Sequence, residues 1–440
     1  MSDTKVIHSS DTSGHIFSLF LKYVSANVLG MIGFSCYILA DTFFIARGIG
    51  SDALAALNLV LPAYSLLNGT GLMIGMGGGS RYSLSSTHPE GETHRTVFTQ
   101  SVLLAVIAAI FFALTGLLGA EPLCLLLGAD SRTLPFAVPY IRILLAFAPL
   151  FLANNLLVCF VRNDGEPALS MAGMIIGSLS NILLDYLFIY PLNLGMVGAA
   201  LATAPLISMG ILSTHFLRGN SHFRLMKTKP SLSTASSICS LGVSSLITEV
   251  SSGIVILVFN FLLLDLSGNT GVAAYGVLAN IALVLIAIST GIAQGIQPIV
   301  SSHPGEKGQP VRHQIRCYAL LTALLLALLS YAVIFLLADP IADLFNKDQN
   351  TSLTSIAADG MRIYFTSLFF SGINIVAAVF LSSTDRPKQA FILSLLRGFL
   401  LSVPAAFLLA HLFGLTGIWM SLPVTEGIVC IFSLLFLKKV

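Results

Sequence analysis

Apolar runs of about 20 residues or more, separated by polar connections, repeat along the whole chain. A helix needs about 20 consecutive apolar residues to cross the hydrocarbon core of a bilayer, because each residue advances it only about 1.5 Å. Inside that core the backbone N–H and C=O groups can be satisfied only within a helix or a closed barrel. Twelve stretches meet the length, near residues 16–42, 53–80, 96–120, 135–160, 168–190, 195–217, 238–264, 271–300, 315–338, 353–381, 390–411 and 414–437. The pattern therefore predicts an all-α integral membrane protein with twelve transmembrane helices.

The connections alternate in character. Polar, basic ones such as "RYSLSSTHPEGETHR" and "SSHPGEKGQPVRHQIR" take turns with short, nearly base-free ones such as "YPLNLG" and "HLFG". With the N-terminus cytoplasmic, 16 of the 22 Lys and Arg fall inside, five outside (Arg47, Arg132, Arg142, Lys347 and Arg362), and Arg397 within a span. Positive residues are retained on the cytoplasmic side, so both termini are expected there, in a multi-pass protein of the plasma (inner) membrane. The first fifteen residues are polar and include Asp3 and Asp11. The apolar run after them is too long for a signal-peptide core, so the first helix is expected to remain.

Composition agrees. Hydrophobic residues make up 55% of the 440 and charged residues 10%, against roughly 25% charged in a soluble domain. Mean hydropathy is +0.90. A net charge of +2 is too small to suggest a nucleic-acid partner. Membrane lipid is the expected surrounding, and a monomer the expected state.

The long connection "RGNSHFRLMKTKPSLSTAS", from Arg218 to Ser236, falls at the middle of the chain. It divides the sequence into an N-lobe (1–217), a cytoplasmic linker (218–237) and a C-lobe (238–440). Three anchors recur across it at offsets of 219 to 220 residues: Gly71 and Gly75 with Gly291 and Gly295, Asn154 and Pro167 with Asn374 and Pro387, and Gly195 and Gly198 with Gly414 and Gly417. A shared offset is the mark of an internal repeat. Six helices per half is an even number, so both halves share one orientation. The plan is that of a duplicated transporter with a central cavity between two pseudo-symmetric lobes.

Against this background, acids inside spans stand out: Asp41 in the first, Asp185 in the fifth, Glu249 in the seventh and Glu426 in the twelfth. A charge at the bilayer centre costs about 2.5–3.5 kcal/mol even on a lenient scale, so such residues face a cavity or a partner. Asn181 lies one turn from Asp185 on the same helix face, and Thr203 of the sixth helix reaches a similar depth. Two carboxylates at one depth in low dielectric cannot both stay ionised comfortably, so the pair is expected to hold a proton and act as a switch. Arg397 lies at a depth close to those of Glu249 and Glu426, and is expected to pair with one of them.

Other signals add less. "GMGGGS" at 75–80 follows no strand and precedes no Lys, so it is read as helix packing at a lobe interface rather than as a phosphate cradle. Gln294 and Gln297 suit either a cavity lining or a helix–helix hydrogen bond. His88, His94, His303 and His313 fall in connections and are read as solvated. The six cysteines show no CxxC pair or metal-ligand spacing and are read as packing residues. No nucleophile–base constellation is present, so the chain is not expected to be an enzyme, and no cofactor or bound metal is expected.

The stretches "ADTFFIARGIGSDALAALNLVLP", "RNDGEPALSMAGMIIGSLSNILLDYLFIYPLNLGMVGAALAT" and "EVSSGIVILVFN" resemble the multidrug and toxic compound extrusion (MATE) family, in its prokaryotic branch. The resemblance covers nearly the whole chain. It implies a V-shaped antiporter expelling cationic, amphipathic compounds in exchange for protons or sodium ions. Carried over, the N-lobe cation-coupling cluster would be Asp41, Asn181, Asp185 and Thr203, with either Asn154 or Asn155. In the C-lobe, Glu249 would be the family's acid, with Gln294, Asn374, Glu426 and Arg397 as further candidates for cation or substrate contact. Asn374 stands where some members have an Asp, which argues against a strong sodium site there. A lipid-linked oligosaccharide flippase of the related superfamily is the alternative, but an anionic headgroup would call for several basic residues inside the spans.

Overall fold

A computed structural model describes residues 13–85, 92–219, 221–345 and 351–439. Asp3, Asp11, His88 and Lys347 lie outside them, as does the side chain of His94. The first half comprises α1 (Ser13–Gly48), α2 (Ser51–Ser85), α3 (Glu92–Leu126), α4 (Leu134–Ala146 and Ala148–Asn163), α5 (Pro167–Ile189) and α6 (Gly195–Leu217). The second comprises α7 (Leu232–Gly268), α8 (Thr270–Ser301), α9 (Gln309–Phe345), α10 (Thr351–Ser383), α11 (387–413) and α12 (415–437). These are the twelve spans expected, grouped in two six-helix lobes around a central cavity.

Breaks in the helices follow from single residues. α7 and α8 join at Gly268 and α11 and α12 at Gly414, whose φ values of 60° and 59° are left-handed and free of strain only for glycine. The tilted rings of Phe259 and Tyr275 pack across the first of these reversals, 5.2 Å apart. α4 bends by 52° at Phe147, where Pro149 removes a backbone donor. α6 breaks at Pro205, and the Thr203 hydroxyl donates to the Ala199 carbonyl 2.9 Å away. Pro167 and Pro387, partners in the repeat, open α5 and α11 after left-handed residues Gly165 and Asp385.

The two halves interlock at the end of the bundle that carries residues 13 and 439, the termini side. Ile16, Phe20 and Val24 of α1 pack into the apolar core of the second half, while Ile238 of α7 packs into that of the first. Glycines permit the exchange by letting backbones touch. A Cβ at Gly77 would sit 2.0 Å from the Ile238 carbonyl oxygen, and one at Gly291 would sit 2.6 Å from Val28 Cα. The repeat is thus visible as geometry: glycines of α2 receive α7, and glycines of α8 receive α1. On the outside, α3 and α9 present residues such as Phe111, Leu118 and Leu336, as a lipid-facing surface requires.

Candidate functional site

α1 and α5 pack along their length, with Gly30 against Met174, Gly33 against Ile175 and Gly48 against Ile189. This brings Asp41 and Asp185 within electrostatic reach of each other, both buried, at 7% and 0% exposure. Asn181 and Thr203 are buried beside them, and Tyr140 of α4 reaches Thr203. Among the described residues, Asp41 Oδ1, both carboxylate oxygens of Asp185 and both amide atoms of Asn181 have no hydrogen-bond partner in the protein. Buried polar atoms are nearly always satisfied, so five orphans in one place mark these residues as a candidate site for something small and polar. Carboxylate and amide oxygens suit a proton or a hard monovalent cation equally well.

In front of this group lies an open cavity between α1, α2, α4, α5 and α6, with residues of α7 and α8 on its far side. Aromatic and thioether side chains, among them Phe34, Tyr37, Tyr64, Phe151, Met31 and Met174, supply an adaptable apolar wall. Tyr37 and Tyr64 hydrogen-bond to each other at 2.9 Å. Asn181 and Thr203 line the cavity, whereas Asp41 and Asp185 stand one layer behind them. Among the lining residues the single carboxylate is that of Glu249.

Glu249 belongs to α7 by sequence but works at the joint between the halves. Its Oε2 accepts from Asn68 of α2 at 3.2 Å, and Asn68 Oδ1 accepts from Asn155 at 3.0 Å. Asn154 instead accepts from Ser208 of α6 at 2.7 Å. Both asparagines line the cavity, Asn155 on the side of Glu249 and Asn154 on the side of Thr203.

The second-half candidates do not form one group. Glu249 and Gln294 face the cavity, while Arg397, Glu426 and Asn374 satisfy one another away from it. Arg397 pairs with Glu426, not Glu249: its Nη2 and Nε donate to Oε1 at 2.8 and 3.2 Å. Asn374 donates to the other carboxylate oxygen at 2.6 Å and accepts from Ser433 at 2.7 Å. A π-turn over residues 396–400 accommodates the arginine, and Gly398 within it lies against Ser251 of α7. With each partner engaged, this network has the character of an internal brace.

Beneath the cavity floor lies a residue that the pattern of the chain places in a cytoplasmic connection. Arg162, in the last turn of α4, is 0% exposed. It donates to Asn27 of α1 at 2.7 Å and to Gln294 of α8 at 2.9 Å. One step further out, Gln297 donates to Ser80 and Asn163, each at 3.0 Å. Gln294 therefore both lines the cavity and makes a cross-helix bond, whereas Gln297 makes cross-helix bonds without lining the cavity. "GMGGGS" packs against neighbouring helices, Gly75 on Asn155 of α4 within the first half and Gly77 on Ile238 of α7 across the halves. Of the cysteines, Cys124, Cys159 and Cys430 are buried, but Cys36 and Cys317 are exposed and do not pack in the core.

Twelve membrane-spanning helices in two interlocked lobes, with an aromatic cavity backed by buried carboxylates, define a polytopic transporter of the duplicated kind. The MatE family model matches residues 27–187 and 243–408, and the chain belongs to that family. A multidrug export protein MepA from Staphylococcus saprophyticus is 25% identical over 439 residues, which cover 99% of this chain and 96% of that one. A MepA from Staphylococcus haemolyticus is 26% identical over 443 residues, with the same two coverages. Among solved structures, a MOP-superfamily transporter from Pyrococcus furiosus, described as having a binding pocket of reverse polarity, superposes with a TM-score of 0.89 at 22% identity, covering 100% of this chain and 98% of that one. An outward-facing multidrug-resistance MATE transporter superposes with a TM-score of 0.87 at 23% identity, covering 96% and 95%.

Proposed function

We propose that the protein exports cationic, amphipathic small molecules in exchange for protons or sodium ions by alternating access, with both termini in the cytoplasm. The relatives named for multidrug export support the substrate class, and the spacing of Lys and Arg along the chain supports the orientation. One observation carries the coupling: Asp41 and Asp185, with orphaned atoms, stand next to Asn181, which lines an aromatic cavity and whose amide atoms are orphaned too. A monovalent cation arriving from outside neutralises the carboxylates, changes what Asn181 and Thr203 present to the cavity, and weakens the hold on a cationic compound. Its loss on the inside restores the negative charge and the affinity. Each ligand then acts on the other through one reciprocal coupling free energy.

A headgroup-binding flippase is less well served. Among the described residues no Lys or Arg lines the cavity, and Arg162 lies below its floor with its terminal nitrogens already bonded. The deciding experiment follows a fluorescent organic cation in proteoliposomes while proton and sodium gradients are imposed separately. Accumulation against the substrate gradient under at least one of them is expected. Transport that ignores both gradients, or that prefers a lipid-linked sugar, overturns the proposal.

A further inference from the structure

We propose that Arg162 is the cation barrier in the cavity floor, the group that prevents protons and sodium ions from crossing between cavity and cytoplasm while the lobes are closed. The proposal rests on the antiport reading above, since only an ion-coupled carrier needs a floor that is tight to ions. Gln294 lines the cavity, and polar side chains continue below it, through Arg162 and Asn27 to Gln297, Asn163, Ser80 and Ser83. Amides and hydroxyls in sequence can hold water and relay a proton, so a seam of this kind is a potential leak. It runs where the lobes must part, so it cannot simply be filled with interlocked apolar side chains. To its sides the closure is dry: a Cβ at Gly242 would lie 1.9 Å from the Met73 carbonyl oxygen, and one at Gly295 would lie 2.8 Å from Val24 Cα.

Within that seam Arg162 is an anomaly. Guanidinium remains charged at any accessible pH, and burying a charge without an opposite one is costly. Its acceptors are all neutral: Asn27 Oδ1, Gln294 Oε1 and, from Nη2, Met76 Sδ at 3.0 Å and Cys159 Sγ at 3.7 Å. Among the described residues no carboxylate lies within ion-pair distance of it. Asp164, two positions along, is instead held by His215 at 2.8 Å, His222 at 3.1 Å and Tyr82 at 3.2 Å. A glutamine could make neutral hydrogen bonds in this layer without the cost, so what the arginine adds is the charge. A fixed positive charge with no carboxylate at ion-pair distance, set in a polar constriction, repels entering cations, as a pore-lining arginine does in channels that exclude protons.

The test uses the full-length protein in proteoliposomes without drug, with a pH-sensitive dye inside and a proton gradient imposed, and then a sodium gradient with a sodium dye. Arg162→Gln removes the charge and keeps hydrogen-bonding capacity. Asn27→Asp keeps the arginine and sets an isosteric carboxylate against it, cancelling the charge with little change in shape, so the test survives if Arg162→Gln fails to fold. Arg162→Lys keeps a charge and changes the shape. Drug-independent leak about tenfold above wild type is expected in the first two and near wild-type tightness in the third. Wild-type tightness in both Arg162→Gln and Asn27→Asp overturns the proposal. So does equal leak in all three variants, which would mark a packing gap rather than a charge effect. Coupled uptake by the wild type is measured in the same vesicles; its absence would count against the antiport reading, while the leak comparison still decides the barrier.

Discussion

Replacing Arg397 by Met removes one side of a buried ion pair and leaves the other side in place. Glu426 would keep only the Asn374 amide, having lost two donors at 2.8 and 3.2 Å. Its side chain is 3% exposed, so water cannot take over. Stranding a buried carboxylate in this way costs about 3–5 kcal/mol, of which the methionine returns a part by filling the arginine's volume. For a cooperative unit of 150–250 residues each kcal/mol moves the midpoint by about 2–4 °C, so a fall of roughly 6–20 °C is expected. The Glu426→Gln partner leaves the arginine with an amide acceptor, and the double variant Arg397→Met, Glu426→Gln carries no stranded charge. It should therefore be more stable than Arg397→Met alone. The measurement is thermal unfolding of the detergent-solubilised protein across this four-member cycle, together with gradient-driven export per folded molecule. A brace predicts that the double variant still exports. An Arg397→Met midpoint within 2 °C of wild type, or a double variant that is stable but inactive, would refute the reasoning and return the network to the coupling machinery.

Asp41→Asn and Asp185→Asn should each leave the protein folded and abolish gradient-driven export, as read by uptake into vesicles; wild-type rates in the double variant would place coupling elsewhere. Glu249→Gln removes the one carboxylate among the cavity-lining residues, and should weaken binding of a monovalent organic cation about tenfold, or roughly 1.4 kcal/mol, while leaving binding of a neutral analogue unchanged in a fluorescence titration. Gly242→Ala puts a methyl group 1.9 Å from a backbone oxygen of α2, which no side-chain rotation can relieve. Overpacking of this kind costs about 1–3 kcal/mol and falls on the interlocked state, so labelling of a reporter cysteine on the termini side by a maleimide added to that side should increase.

The fold was largely legible because a bilayer imposes a length on every crossing segment, and because glycines and prolines recur at one offset in the two halves. Pro167 and Pro387 open equivalent helices, and the glycines of α2 and α8 form equivalent crossings. The acids of the first half were legible for a similar reason: a carboxylate in an apolar run has no cheap explanation. What stayed hidden were partners drawn from other helices, such as Asn68 beneath Glu249 and Asn27 beside Arg162, because an asparagine inside a span carries no sign of what it will meet. Arg162 itself was concealed by the polar run "RNDGEP", which moved the apparent membrane boundary inward past it. The repeat contained the clue. At the offset of 220 residues that joins Asn154 to Asn374, Arg162 corresponds to Ser382, which is buried and donates to the Leu241 carbonyl of α7. At the same offset Asp185 corresponds to Ala405. Both the buried acid and the buried base are therefore departures from the duplicated plan. Asp41, Asp185 and Arg162 belong to the first half, the acids beside the cavity and the arginine below it, while the second half contributes Glu249 to the lining; under the proposed antiport these groups would let a cation reach the carboxylates and keep it from passing through the floor.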